Sequence, residues 1–193
     1  MILYLIIIVI AVFVIATAVS LCTATAFFPV LGWTALATAV VMVIDGLTAT
    51  LCQFLPEKFA DHKKKLFTVS AKEKKFYEKL QIRKWKDKVP EIAGFTGFHK
   101  NKIADPKSVE YIERFLLETC YGELVHIISC FSSYIILLMF PLWELWLAVA
   151  IPVATVSMLL NLPSLFILRY NSYKLEVLFN SMLKKQRRKE EVQ

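Results

Sequence analysis

The chain lacks any lysine or arginine before Lys58, and it lacks the short motifs of several common enzyme classes. There is no G-x-S-x-G nucleophile turn, no P-loop and no Rossmann glycine motif. The His-x-x-x-x-Asp box of soluble glycerolipid acyltransferases is also absent, because the interval from His99 to Asp105 is one residue too long. The four cysteines show neither disulfide nor metal-ligand spacing, and we interpret them as packing residues. The function of the protein therefore cannot be identified from a short catalytic or metal-binding motif.

Apolar residues are abundant instead. They make up 57% of the 193 residues, and the mean hydropathy is +0.55. A bilayer core about 30 Å thick requires roughly 20 apolar residues in a helix, and four runs are long enough: 2–22, 27–55, 122–140 and 143–168. The composition predicts an all-α integral membrane protein with four transmembrane helices. We divide it into a first helix pair (1–55), a basic insert (56–115), a second helix pair (116–168) and a basic tail (169–193).

The positive charge is segregated along the chain. All 23 lysines and arginines lie in residues 56–115 and 169–193. Basic segments next to spans stay in the cytoplasm, so we expect a multi-pass protein of the cell membrane with both termini inside. Ala24-Thr25-Ala26 resembles a signal-peptide cleavage site, but no basic residue precedes the apolar run, and we expect a retained anchor. The net charge of +7 suits anionic lipid or an anionic substrate, although topology alone explains most of it.

The insert carries an amphipathic pattern over residues 71–89. Its apolar positions recur at helical spacing, its lysines can snorkel to lipid phosphates, and Trp85 suits the membrane interface. We predict one interfacial helix that ends at Pro90 and is followed by a loop over 94–106. Ser108 is a suitable N-cap for the next helix, which is predicted to run from about Val109 unbroken into the third span.

Three polar residues fall inside the predicted spans. Counted from the cytoplasmic ends, Asp45 lies roughly 15 Å, Asn161 roughly 12 Å and His126 roughly 10 Å into the membrane. An ionisable group in a span costs about 2.5–3.5 kcal/mol on insertion scales, so it requires a partner or a use. Their depth on one side predicts either a polar pocket open to the cytoplasm or hydrogen bonds between helices, for instance from His126 to Asp45 or Asn161.

Glu123 and His126 are neighbours at i,i+3 on one helix. A carboxylate beside an imidazole fixes its tautomer and raises its basicity, so the pair is suited to act as a general base toward a hydroxyl. Glu118 lies two turns from His126, nearer to water. We expect no metal, because the Glu-x-x-His spacing of di-iron bundles requires a second such motif. Arg169 is expected either to bind a phosphate or carboxylate or to anchor the helix end at the interface.

Three stretches together resemble the glycosyl-4,4′-diaponeurosporenoate acyltransferases, small membrane enzymes of carotenoid biosynthesis. They contain Arg83-Lys84-Trp85-Lys86, then Glu118-Thr119 with Glu123-Leu124-x-His126, then Asn161-x-Pro163 with Arg169-Tyr170-Asn171. The resemblance covers roughly residues 53–180 and implies transfer of a fatty acyl group to a sugar hydroxyl of a glycosylated lipid or carotenoid. The first helix pair lies mostly outside it.

On this resemblance, His126, Glu123 and Glu118 form the candidate catalytic group. The candidate substrate-binding residues are Arg83, Lys84, Trp85, Lys86, Asp45, Asn161, Arg169, Tyr170 and Asn171. No bound cofactor is expected; an acyl-CoA or acyl-carrier donor is the co-substrate. The expected partners are membrane lipid, the acyl donor and the glycosylated acceptor, with no nucleic acid and with a homo-oligomer left open. The alternative is a non-catalytic membrane protein that binds anionic lipid or a partner subunit, and a transporter is a weaker third option.

Overall fold

The computed structural model describes residues 2–89, 105 and 107–191, and every regular element in those residues is helical. The six α-helices are α1 (Ile2–Thr23), α2 (Phe27–Gln53), α3 (Ala71–Lys79), α4 (Ile82–Trp85), α5 (Val109–Ser132) and α6 (Trp146–Glu190). Three 3-10 segments accompany them, at Glu57–Phe59, Lys86–Lys88 and Ser133–Leu142.

Four of the helical segments are long and apolar enough to cross a membrane. They are Ile2–Thr23, Phe27–Gln53, Val109–Met139 and Trp146–Lys189. The all-helical fold with four candidate spans is therefore confirmed. The last helix is longer than predicted, because α6 continues past residue 168 to Glu190 and buries Leu175 and Phe179 in that extension.

The chain divides into two compact units. Unit 1 consists of Met1–Phe54 and Val125–Pro163, and unit 2 of Leu55–Leu124 and Ser164–Gln193. The four segments predicted from the sequence are a different division of the same chain, and they stay a prediction.

Unit 1 is held together by small side chains and a tryptophan cluster. Ala16, Ala37 and Ala154 are fully buried, and small residues allow membrane helices to approach closely. Trp33 stacks on Trp143 with ring centroids 5.6 Å apart. Together these contacts give unit 1 an apolar core into which its polar side chains are set.

Unit 2 contains the segment that follows α2, the first part of α5 and the part of α6 after Pro163. As expected, α5 is unbroken from Val109 to Ser132, and the Ser108 hydroxyl accepts the Tyr111 N–H at 3.1 Å. This bond satisfies one of the free donors at the start of the helix and confirms the predicted N-cap.

The predicted single helix over 71–89 is wrong. It breaks at Gln81, which has a left-handed backbone with φ 52°, and the chain resumes as α4. In a regular α-helix the Lys84 N–H would donate to the Leu80 carbonyl, but here it donates to the Gln81 carbonyl at 2.8 Å. The Leu80 carbonyl accepts the Trp85 indole N–H at 3.0 Å instead. The break places Tyr77 and Ile82 in one buried cluster with Phe166, although the two would lie about 140° apart on a straight helix. Pro90 and the loop over 94–106 lie outside the described residues.

Candidate functional site

In unit 1, α5 presents His126 to Asn161 of α6. The Nδ1 atom of His126 lies 2.8 Å from Asn161 Oδ1, and Asn161 Nδ2 donates to the Ser157 carbonyl at 3.1 Å. A carbonyl can only accept a hydrogen bond, so this contact determines which end of the amide faces Ser157. Asn161 Oδ1 therefore faces His126 as an acceptor, and Nδ1 carries the proton.

This arrangement determines the chemistry of the ring. With the proton on Nδ1, the neutral imidazole has its lone pair on Nε2, the form that can accept a proton from a hydroxyl. His126 is only half-buried. Of the two helix-to-helix partners that the sequence suggested for His126, the structure pairs its Nδ1 atom with Asn161.

The hydrogen-bonded chain extends from Asn161 to a carboxylate on α2. Ser157 Oγ donates to Asp45 Oδ2 at 3.0 Å and lies 2.9 Å from Ser133 Oγ. We call Asp45, His126, Ser133, Ser157 and Asn161 the His126 network. Polar side chains from α2, α5, α6 and the 3-10 segment after α5 thus meet inside an apolar unit, where each isolated polar group would be costly.

In unit 2, Arg169 binds two carboxylates. Its side chain is 12% exposed and donates to Glu73 through Nε and Nη2 and to Glu123 Oε2 through Nη1 at 2.9 Å. It also donates to the carbonyls of Leu66 at 2.8 Å and Thr68 at 3.4 Å. All five N–H donors of the guanidinium therefore have partners. Tyr77 donates its hydroxyl to Glu73, and we call Arg169, Glu73, Glu123 and Tyr77 the Arg169 cluster.

The cluster changes the protonation of its members outside the spans. Burial raises the pKa of Glu73, but the hydrogen bonds from Arg169 and Tyr77 outweigh it, and the pKa lies below the ordinary value. Burial and the bond to Glu73 raise the pKa of the Tyr77 phenol. Glu73 is therefore a carboxylate at neutral pH and Tyr77 is its neutral donor.

Glu123 is fully buried, and its Oε1 has no hydrogen-bond partner among the residues that the structure describes. The predicted Glu123–His126 pair joins one residue from each unit and stays a prediction. Arg169 as a substrate ligand also stays a prediction, since an anionic substrate would have to displace one of its five bonds.

The remaining predicted residues lie in unit 2. Arg83 and Lys84 are exposed, whereas Trp85 and Lys86 are half-buried. Tyr170 packs in the cluster around Ile82, and the Lys174 ammonium lies 4.2 Å from the centre of its ring. Glu118 and Asn171 are half-buried. Within the described part of the chain, no group of three or more His, Cys, Asp or Glu side chains is arranged to hold a metal ion.

Four members of these two groups were not predicted from the sequence, namely Ser133, Ser157, Glu73 and Tyr77. Ser157 lies in an apolar run and gave no signal there. Glu73 belongs to a recognisable sequence pattern, because Ser70 and Glu73 have the spacing of a capping box. In the structure, the Ser70 hydroxyl accepts a hydrogen bond from the Glu73 N–H at 3.2 Å. That motif predicts the start of α3, but it does not predict the bond to Arg169.

Comparison with known proteins gives one family. A family model described as glycosyl-4,4′-diaponeurosporenoate acyltransferase matches residues 57–181. Neither the curated proteins nor the solved structures contain a match to the chain. The matched segment includes His126, Asn161 and all of the Arg169 cluster, and it begins after α2.

Proposed function

The chain belongs to the glycosyl-4,4′-diaponeurosporenoate acyltransferase family, and we propose that it transfers a fatty acyl group onto a sugar hydroxyl of a glycosylated lipid or carotenoid. The family name supports acyl transfer, and four helices able to cross a membrane suit substrates that both carry long apolar chains. The reaction is an O-acylation, in which an ester forms at the sugar.

The observation that carries this proposal is the pair of bonds at Asn161. Its amide donates to Ser157 O and accepts from His126 Nδ1, so the ring has its lone pair on Nε2. A general base that removes the proton of a sugar hydroxyl requires such a lone pair. General-base catalysis typically contributes a factor of about 10²–10⁴ to the rate.

The proposed reaction proceeds in two steps. Nε2 of His126 takes the proton of the sugar hydroxyl as its oxygen attacks the carbonyl carbon of an acyl thioester. The carbon–sulfur bond then breaks, and the imidazolium returns the proton to the thiolate, so the products are the sugar ester and a free thiol. The oxyanion of the intermediate requires a donor, and Asn161, which lies in the same unit as His126, is our candidate for it.

We assign donor binding to the insert. Arg83 and Lys84 are exposed cations beside the half-buried Trp85 and Lys86, and cations of this kind bind the phosphates of an acyl-CoA or acyl-carrier donor. The proposal places this surface, and both chain termini, on the cytoplasmic side of the cell membrane, since basic segments remain there. Tyr170 and Asn171, in the same unit as this surface, are proposed to line the donor-binding region.

The test uses the purified full chain with palmitoyl-CoA as donor and an alkyl β-glucoside as acceptor, and mass spectrometry to detect an acylated glucoside. We expect His126→Ala to lower the rate by at least 100-fold with unchanged folding. The matched control is His62→Gln, which removes an imidazole of unit 2 outside the His126 network. Full activity of His126→Ala would refute the assignment of the base. A complete lack of acylation by the wild-type chain, with retained binding to anionic vesicles, would favour the non-catalytic alternative.

A further inference from the structure

A carboxylate on α2 lies in the His126 network, although α2 precedes the segment that the family model matches. Asp45 Oδ2 accepts the Ser157 hydroxyl at 3.0 Å, and the carboxylate also lies beside Ser129 and Asn161. Its second oxygen, Oδ1, is buried with no hydrogen-bond partner among the described residues. A carboxylate inside a span is expensive, so its position there requires a use.

Ser157 connects this carboxylate to the amide that orients His126. Its hydroxyl contacts Asp45, and its carbonyl accepts from Asn161 Nδ2. The side of Asn161 that faces away from His126 is therefore surrounded by acceptors: the Ser157 carbonyl and the Asp45 carboxylate. A flipped Asn161 would point its own oxygen at these acceptors and its nitrogen at the ring.

We propose that Asp45 is a positioning residue for His126, acting through Ser157 and Asn161. Its carboxylate holds the amide with Nδ2 toward α2, which keeps Oδ1 on His126 Nδ1 and the lone pair on Nε2. Its negative charge also favours the imidazolium that forms when Nε2 takes a proton, which is the role of the aspartate that orients histidine in serine hydrolases. This inference rests on the proposed function, and it makes α2 part of the active site.

The test combines a spectroscopic and a kinetic measurement on the full chain in detergent. In protein labelled with ¹⁵N-histidine, the His126 signals are assigned by their loss in His126→Gln. We expect the wild-type ring to be the Nδ1–H tautomer and Asp45→Asn to give a mixture of both tautomers. With palmitoyl-CoA and the alkyl glucoside, Asp45→Asn is expected to lower kcat about tenfold to hundredfold and to leave KM for the glucoside within twofold.

Glu144→Gln is the matched control, because it converts an exposed carboxylate of unit 1 to an amide outside the network. We expect it to leave both the tautomer and kcat unchanged. Asp45→Glu, which restores the charge, is expected to recover the wild-type tautomer in part. Should Asp45→Asn fail to fold, Asp45→Ser also removes the carboxylate, and the same tautomer change and loss of kcat are expected.

An unchanged tautomer and a kcat within threefold of wild type, in a folded Asp45→Asn or Asp45→Ser, would overturn the proposal. The spectroscopic result does not require turnover. Activity that survives His126→Ala therefore refutes the proposed base, whereas a tautomer indifferent to Asp45 refutes only the positioning role.

Discussion

Replacement of Arg169 is expected to lower the free energy of unfolding more than any other single substitution in unit 2. Arg169→Met keeps a side chain of similar length but removes the charge and all five donors. Glu123 would then be a carboxylate with 0% exposure and no donor from Arg169. Removal of one partner from a buried ion pair costs about 3–5 kcal/mol, whereas the partly exposed Glu73 adds at most about 1 kcal/mol.

The expected loss of 3–5 kcal/mol corresponds to a fall in the midpoint of thermal unfolding of roughly 6–20 °C for a chain of this size. Circular dichroism of the detergent-solubilised protein at a fixed detergent concentration measures it. The matched control is Arg187→Met, the same substitution at an exposed position in the last turn of α6, which is expected to change the free energy of unfolding by less than about 0.5 kcal/mol.

A double variant separates loss of the ion pair from loss of packing. Arg169→Met combined with Glu123→Leu leaves no buried charge in the pair, and replacement of a buried pair by apolar groups is often close to neutral. We therefore expect it to recover most of the stability that Arg169→Met loses. The reasoning is refuted if Arg169→Met and Arg187→Met shift the midpoint equally, or if the double variant is no more stable than Arg169→Met alone.

Two further predictions concern the insert. The pKa of Glu73 is lower in the folded protein than in the unfolded chain. Its contribution to stability is therefore present above the unfolded pKa near 4 and is lost as the pH falls through the folded pKa. A series of unfolding midpoints measured at different pH should show this loss and Glu73→Gln should reduce it, whereas parallel curves for the two proteins would contradict the argument. Gln81 has φ 52°, a conformation that glycine adopts without steric cost, so Gln81→Gly should raise the free energy of unfolding by about 0.5–1 kcal/mol. Gln186→Gly, at an exposed position of α6, should lower the free energy of unfolding by a similar amount. A change of the same sign in both variants would contradict the argument.

The spans and the start of α5 could be predicted because their signals are local. The length of an apolar run determines whether a helix can cross a membrane, and a serine just before Val109 accepts a hydrogen bond from the N–H three residues further on. The break at Gln81 could not be predicted in the same way, because it depends on where Tyr77 and Ile82 find a partner. Phe166, in the cluster that buries both, lies more than 80 residues further along the chain.

The candidate site was predicted in its residues more than in its pairings. Asn161 was one of two partners suggested for His126, and the structure selects it. Arg169 was expected either to bind a phosphate or carboxylate or to anchor the helix end, and in the structure it binds two of the chain's own carboxylates, one of them 96 residues away. No pattern in the sequence indicates a pair at that separation, since periodicity reports which face of a helix is apolar but not what lies opposite to it.

The Arg169 guanidinium and the His126 imidazole differ in their hydrogen-bonding chemistry, because a guanidinium only donates, whereas a neutral imidazole also has a lone pair that can take a proton. We therefore expect them to contribute differently to stability and to catalysis. Every N–H of Arg169 is bonded within unit 2, so the guanidinium can contribute to a reaction only by giving up a bond that holds the insert in place. The bond from His126 Nδ1 to Asn161 places the lone pair of the neutral ring on Nε2, which is the form of the ring that can take a proton. Loss of Arg169 should therefore appear first in the unfolding midpoint, and loss of His126 first in kcat. A reversal of that order would mean that Arg169 is the catalytic residue and that the imidazole only links two helices.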